Sequence, residues 1–232
     1  MPPRVTYDLQ DAIATITLDD GKANALSTDM LTEIGAALTR AETDRAAVLL
    51  KGRPGMFSAG FDLRVLKAGG PEVTAMFLGG FELALRLLAF PSPVIALCTG
   101  HALAMGSFLL LSADYRVGTI GPYKIGANEV AIGLTMPFFG IEICRQRLAP
   151  AYFHRSVINA EIHTPEAAVL AGFLDRVVPE NELSPTARSV AEELGKLDRD
   201  THTATKRRAR GQALTAIRAA IDADAEVFRA SM

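Results

Sequence analysis

Cysteine is scarce in this sequence: Cys98 and Cys144 are the two among 232 residues. Both stand in apolar surroundings without metal-ligand spacing, which reads as a pair of buried free thiols in a reducing, cytoplasmic protein. The four histidines are scattered and also lack metal spacing, so no metal is expected. A charge excess is missing too. The 24 basic and 26 acidic residues nearly cancel, giving no electrostatic reason to expect nucleic acid or an anionic membrane as partner. Met1 to Ala12 contain no continuous apolar stretch that would serve as a secretory core, so the mature protein is expected to be the whole chain. Between Arg86 and Asp114 there is no Asp, Glu, Lys or Arg. Pro91, Pro93, Gly100, His101 and Gly106 interrupt that stretch, which fits a buried strand, turn and helix better than a bilayer span.

What is present is apolar residues, 49% of the chain, enough for a full core. Val5 to Leu9 and Ile13 to Leu18 alternate as a β-hairpin. Met30, Ile34, Ala37, Leu38 and Ala41 recur at helical spacing from Thr28 to Thr43, with Ser27 or Thr28 as cap. Ala47 to Leu50, Pro93 to Cys98 and Tyr115 to Gly118 read as strands. Gly52 to Gly60 reads as a loop, with helices starting at Asp62, Pro71 and Ala104. The alternation predicts an α/β core. Beyond Pro137 the pattern turns helical, broken by a strand at Leu174 to Val178, with Thr164-Pro165 and Ser184-Pro185 as cap plus first-turn proline. The expected division is a core over residues 1–180 and a helical extension over 181–232, with Leu214, Ile217, Ile221 and Phe228 on one face of the last helix.

Three segments carry chemistry. Gly55-Met56-Phe57-Ser58-Ala59-Gly60-Phe61-Asp62-Leu63 joins a strand to a helix start, where Gly frees backbone N–H groups to point into a cavity and the helix adds its positive end. Thr99-Gly100-His101-Ala102-Leu103-Ala104-Met105-Gly106-Ser107 is a second such junction. Two junctions can aim two N–H donors at one oxygen, or the small residues can serve close packing alone. In Ala127-Asn128-Glu129-Val130-Ala131-Ile132-Gly133-Leu134 a single carboxylate stands in an apolar stretch. Buried, it would have its pKa raised towards neutrality, the range useful for proton transfer; exposed, it would be an ordinary loop Glu.

Together, in this order and spacing, the segments resemble the crotonase superfamily, the enoyl-CoA hydratase/isomerase family, from about Val5 to Val178. The resemblance implies a ClpP/crotonase-like spiral of β-β-α units with a C-terminal helical extension. It also implies an acyl-CoA thioester as substrate, with no cofactor because CoA is part of the substrate. By that resemblance the N–H groups of Phe61 and Met105 form an oxyanion hole, and Ala23 and Ala25 of Ala23-Asn24-Ala25-Leu26 embrace the CoA. Ala59, Gly60, Asp62, Leu63, Arg64 and Phe108 complete the expected substrate site. Asp62 reads as the cap of the following helix. Arg64, Lys67 and the Lys206, Arg207, Arg208, Arg210 cluster are either solvated or directed at the CoA phosphates. Assembly as a homotrimer or homohexamer is implied as well.

The departure from the family's hydratases is informative. They carry two glutamates; the first corresponds here to Phe108, which moves no proton, and the second to Glu129. An apolar residue followed by one Glu, with Met136-Pro137-Phe138-Phe139 after it, is similar to the Δ3,Δ2-enoyl-CoA isomerases. Hydration through Glu129 alone is the alternative. A non-catalytic acyl-CoA-binding protein is another, since Phe108 replaces an acid and Met105 stands where Gly is usual. A serine-hydrolase reading of Ser107 and His101 lacks a third, acidic member.

Overall fold

The computed structural model describes residues 3–230. In chain order its elements are β1 (Val5–Gln10), β2 (Ile13–Leu18), α1 (Thr28–Thr43), β3 (Ala47–Lys51), β4 (Gly55–Ser58), α2 (Leu63–Ala68), α3 (Pro71–Leu88), β5 (Val94–Cys98) and β6 (Gly100–Leu103). Then follow α4 (Met105–Ser112), β7 (Tyr115–Thr119), β8 (Ile125–Gly126), a 3-10 turn (Val130–Ile132), α5 (Phe138–Arg147), α6 (Pro150–Val157), α7 (Pro165–Ala171), β9 (Arg176–Val178), α8 (Glu180–Gly195) and α9 (Arg199–Ala230).

The opening hairpin turns through Asp11 and Ala12, both left-handed at φ 51° and 59°, the conformation that matches the twist of its strands. Ser27 caps α1, its hydroxyl accepting the Met30 N–H at 3.3 Å. A six-stranded sheet runs in the order β1-β2-β3-β5-β7-β9, parallel from β2 onward, and a three-stranded parallel sheet runs β4-β6-β8. After the opening hairpin, which lies wholly in the large sheet, each turn of the chain lays one strand in the large sheet (β3, β5, β7), the next in the small sheet (β4, β6, β8), and then a helical segment. That is a spiral of β-β-α units.

The reading of Gly52 to Gly60 and of Gly100 to Leu103 as plain connections is corrected, because β4 and β6 lie inside them. The glycines that suggested a loop serve strand packing: a methyl group on Gly100 would lie 2.0 Å from the Gly55 carbonyl carbon. Ser184-Pro185 does not start a helix either. The start of α8 is Glu180, after Pro179, and Pro185 sits inside the helix.

Both faces of the large sheet are covered. One packs on α1, α3, α4 and the small sheet in the main core. On the other, Leu183, Ala187 and Ala191 of α8 cover Ile13, Ala47, Leu49, Ile95, Leu97, Val117 and Val178. Two-sided burial is why the central strands read as unbroken apolar runs.

The last helix, α9, packs on α3 and α5 of its own chain. Its basic cluster splits, against the expectation of one shared role. Lys206 is buried, and its Nζ donates to the carbonyls of Phe90 and Ser92 and pairs with Asp114 at 2.6 Å. Arg210 pairs with Asp114 at 2.9 Å and donates to the Leu88 carbonyl. Arg207 and Arg208 are exposed. Lys206 and Arg210 thus fasten α9 to the turn between α3 and β5. Replacing Lys206 with Met leaves two carbonyls and part of a buried carboxylate without a partner, and is expected to lower the unfolding free energy by about 3 kcal/mol in urea denaturation.

Candidate active site

The loops after β4 and β6 meet at Gly60, whose φ of 89° is left-handed. A methyl group there would lie 2.8 Å from the Ala104 Cβ and 3.3 Å from the Met105 nitrogen. Ala104 itself holds φ 48° and ψ −128°, a strained conformation for a residue with a Cβ, costing on the order of 1–3 kcal/mol. This turn delivers Met105 as the first residue of α4, an uncharged helix buried along its whole length. Behind the loops the two side chains also converge. A methyl group on Gly80 of α3 would lie 2.6 Å from the Phe61 ring and 3.6 Å from the Met105 Cγ. The bulk of Met105 is therefore packed into α3, and its side chain is fully buried.

Among the described residues, none of the hydrogen bonds that hold these loops uses the N–H of Phe61 or of Met105. Other donors of these loops are engaged: Gly60 donates to Ser58 Oγ, Leu26 to Gly60, Asp62 to Leu26, and Phe108 to Ala104. Two uncommitted donors on adjoining backbones, one of them at a helix start, are suited to an oxygen that gains negative charge.

The Ala23 to Leu26 loop is clamped beside them. Asn24, fully buried at φ 49°, donates through Nδ2 to the carbonyls of Leu18, Met56 and Phe57. The carboxylate of Asp20 accepts the N–H groups of Lys22, Asn24 and Ala25, and although burial opposes ionisation these bonds hold its pKa below the usual value. Ala59 donates to the Ala23 carbonyl, and Ser58 Oγ to that of Asn24. Ala23 and Ala25 are half-buried and Ala59 is exposed. The sequence reading passed over Asp20, Asn24 and Ser58; a buried-polar role for Asn24 had no signal beyond its place between two alanines.

Asp62 caps α2, accepting the Arg64 N–H at 2.8 Å, and pairs with the Arg64 guanidinium at 2.7 Å. Those contacts lower its pKa. The Arg64 and Leu63 side chains project outward. Leu63, Leu66 and Lys67 of α2 face Ile132 and Leu134 across a groove of about 260 Å³. The segment carrying Glu129 thus lies opposite the helix that follows Phe61. A larger cavity, about 410 Å³, lies at the amino ends of β2, β3 and β5.

Glu129 is 7% exposed, and its Oε2 has no hydrogen-bond partner among the described residues. Burial raises its pKa to about 7, opposed only by a bond to its own backbone. Burial, with the Glu129 charge adding to it, pushes the Cys144 thiol of α5 up and keeps it neutral. Phe108 is 1% exposed and sets its ring edge-on to Phe139 at 5.8 Å. His101 and Ser107 take separate partners, the Lys124 N–H and the Ala104 carbonyl. Among the described residues no group of His, Cys, Asp and Glu is arranged to hold a metal, and no helix is long and apolar enough to cross a membrane.

The two-sheet spiral with its loops gathered at one end is the crotonase fold. Residues 8–232 match the family model described as enoyl-CoA hydratase/isomerase, and the chain belongs to that family. A Pseudomonas syringae protein of the enoyl-CoA hydratase/isomerase family superposes with a TM-score of 0.95 at 48% identity, covering 96% of this chain and 97% of that one. Mouse mitochondrial enoyl-CoA delta isomerase 1 is 32% identical over 77% of this chain and 63% of its own length. Carnitinyl-CoA dehydratase of Salmonella paratyphi A is 30% identical over 78% and 70%. The chain thus spans less than two thirds of the mouse relative.

The folded-state value of Glu129, about 7, compares with 4.5 for an unperturbed side chain. Between these values the unfolded chain sheds a proton that the folded chain keeps, so stability falls as pH rises through that window and then levels off. Glu129→Gln removes this loss and is expected to gain up to about 3 kcal/mol over the parent above pH 7, but little below pH 4. Denaturation curves at the two extremes check it; the same difference at both would contradict a buried, destabilising charge.

Proposed function

We propose that this chain catalyses the shift of a Δ3 double bond to Δ2 in an enoyl-CoA thioester. The observation that carries the proposal is a buried carboxylate, Glu129, with one oxygen unpartnered among the described residues and a pKa near 7, in a chain where Phe108 supplies no second acid. Glu129 takes a proton from C2, and the thioester carbonyl becomes an enolate whose oxygen accepts the Phe61 and Met105 N–H groups. Glu129 then returns the proton at C4. One group suffices for both transfers, and donors fixed before the reaction need little reorganisation as the charge develops. Apolar surroundings that include Phe108 keep water from the intermediate.

Ala23, Ala25 and Ala59 present backbone to the CoA, Gly60 lets the two loops meet, and Asp62 holds the start of α2. In the proposed complex Leu63 lies beside the acyl part and Arg64 reaches a CoA phosphate. CoA belongs to the substrate and no cofactor is invoked. The proposed enzyme acts as a homotrimer or homohexamer in cytoplasmic fatty-acid degradation. The mouse relative named as an isomerase supports this reaction, and the relative named as a dehydratase makes hydration the competing outcome.

Supplied separately with 3-enoyl-CoA and 2-enoyl-CoA, the protein is expected to convert the first to the second and to leave the second unhydrated. Rapid formation of 3-hydroxyacyl-CoA would overturn the proposal. Because the base must be ionised, kcat/KM rises with pH through about 7 and then levels off. Glu129→Gln is expected to abolish turnover while leaving acyl-CoA affinity nearly intact. Turnover that survives the change removes Glu129 as the acid/base.

A further inference from the structure

The segment from Glu129 to Pro137 ends on α5, and α5 has no capping side chain of its own, since Pro137 occupies the cap position. The cap comes from the far end of the chain. Asp224 of α9 is 3% exposed; its Oδ1 accepts the Phe138 N–H at 2.9 Å and its Oδ2 the Phe139 N–H at 2.8 Å. Two of the donors that every helix start leaves free are thereby satisfied by one carboxylate at the positive end of the helix dipole. Phe228, one turn further along α9, stacks on Phe77 at 5.3 Å.

Asp224 thereby fixes the start of α5, onto which the Glu129 segment runs. Phe139 stacks on Phe81 at 4.4 Å and meets Phe108 edge-on. A methyl group on Gly140 would lie 2.7 Å from the Met136 sulfur and 3.1 Å from the Phe108 ring, so this end of α5 packs tightly against both. Cys144, two turns into α5, lies within electrostatic reach of Glu129. Shifting the start of α5 would move the aromatic wall and the attachment of the Glu129 segment together.

We propose that Asp224 is a positioning residue for Glu129: by capping α5 across the fold it keeps the site around the carboxylate closed to water. The proposal rests on Glu129 being the acid/base of the reaction proposed above. A carboxylate is required for the double acceptance. Asn offers one acceptor and sets an NH2 group against the second N–H, and Ala offers none.

The test uses the full chain with Asp224→Asn and Asp224→Ala, and reads the ionisation of the Glu129 carboxyl directly by carbon-13 NMR, whatever reaction the protein runs. Both variants are expected to move the midpoint down from about 7 towards the ordinary glutamate value, Ala further than Asn. With 3-enoyl-CoA, kcat is expected to fall about tenfold to a hundredfold while KM changes much less. The acid limb of the pH profile should follow the NMR midpoint. A folded variant whose Glu129 midpoint is unchanged overturns the proposal, as does failure of both variants to fold, which would make Asp224 a stability residue alone. A shifted midpoint in a protein that never isomerises 3-enoyl-CoA sinks the proposed reaction and leaves the coupling of Asp224 to Glu129 standing.

Discussion

The site depends on the approach of two backbones at Gly60. With the Ala104 Cβ and the Met105 nitrogen where a side chain on residue 60 would have to go, the loops after β4 and β6 touch only because that position has no Cβ. The approach is repeated behind the loops at Gly80, where the Phe61 ring and the Met105 side chain share the space a methyl group would fill. The strained Ala104 is tolerated because the pairing of β6 with β8 and the burial of α4 fix the chain on either side of it. Two glycines and one strained alanine thus set where the open N–H donors lie.

Around this contact polar groups are handled in two ways. Asn24, Asp20 and Asp224 are bonded to backbone N–H or carbonyl groups and hold loops and helix starts in place. Glu129 is buried with one oxygen left unbonded. Fixing a buried polar group with partners stabilises a fold, whereas leaving one without them costs stability and keeps its proton mobile near neutral pH. The unbonded oxygens of Thr99 and Asn128 share this state, but of the three only Glu129 is a carboxyl that can hold and release a proton near neutral pH.

Much of the scaffold was legible from periodicity. The hairpin, α1, α3 and the buried strands β3, β5 and β7 follow from two-residue and helical spacing, because each buries a continuous apolar face or both faces. β4 and β6 were not legible: they are four residues each, and their first residues are glycines packed backbone to backbone, a pattern that local reading assigns to loops. Pro185 misled for a related reason, since a Ser-Pro pair is a start signal only where the preceding turn is not already helical.

The sequence by itself determined that two glycine-bearing junctions precede helix starts, that a lone carboxylate lies in an apolar stretch, and that no second acid stands at Phe108. Those are local properties of residue type and order. Only the tertiary structure decided that the junctions touch, that Met105 turns its side chain into α3 and leaves its N–H uncommitted, that Lys206 is an internal fastener, and that Asp224 caps a helix some eighty-five residues earlier in the chain. Each of these depends on atoms distant in sequence meeting within a few ångströms, and no spacing along the chain encodes which of the possible meetings the packed core enforces.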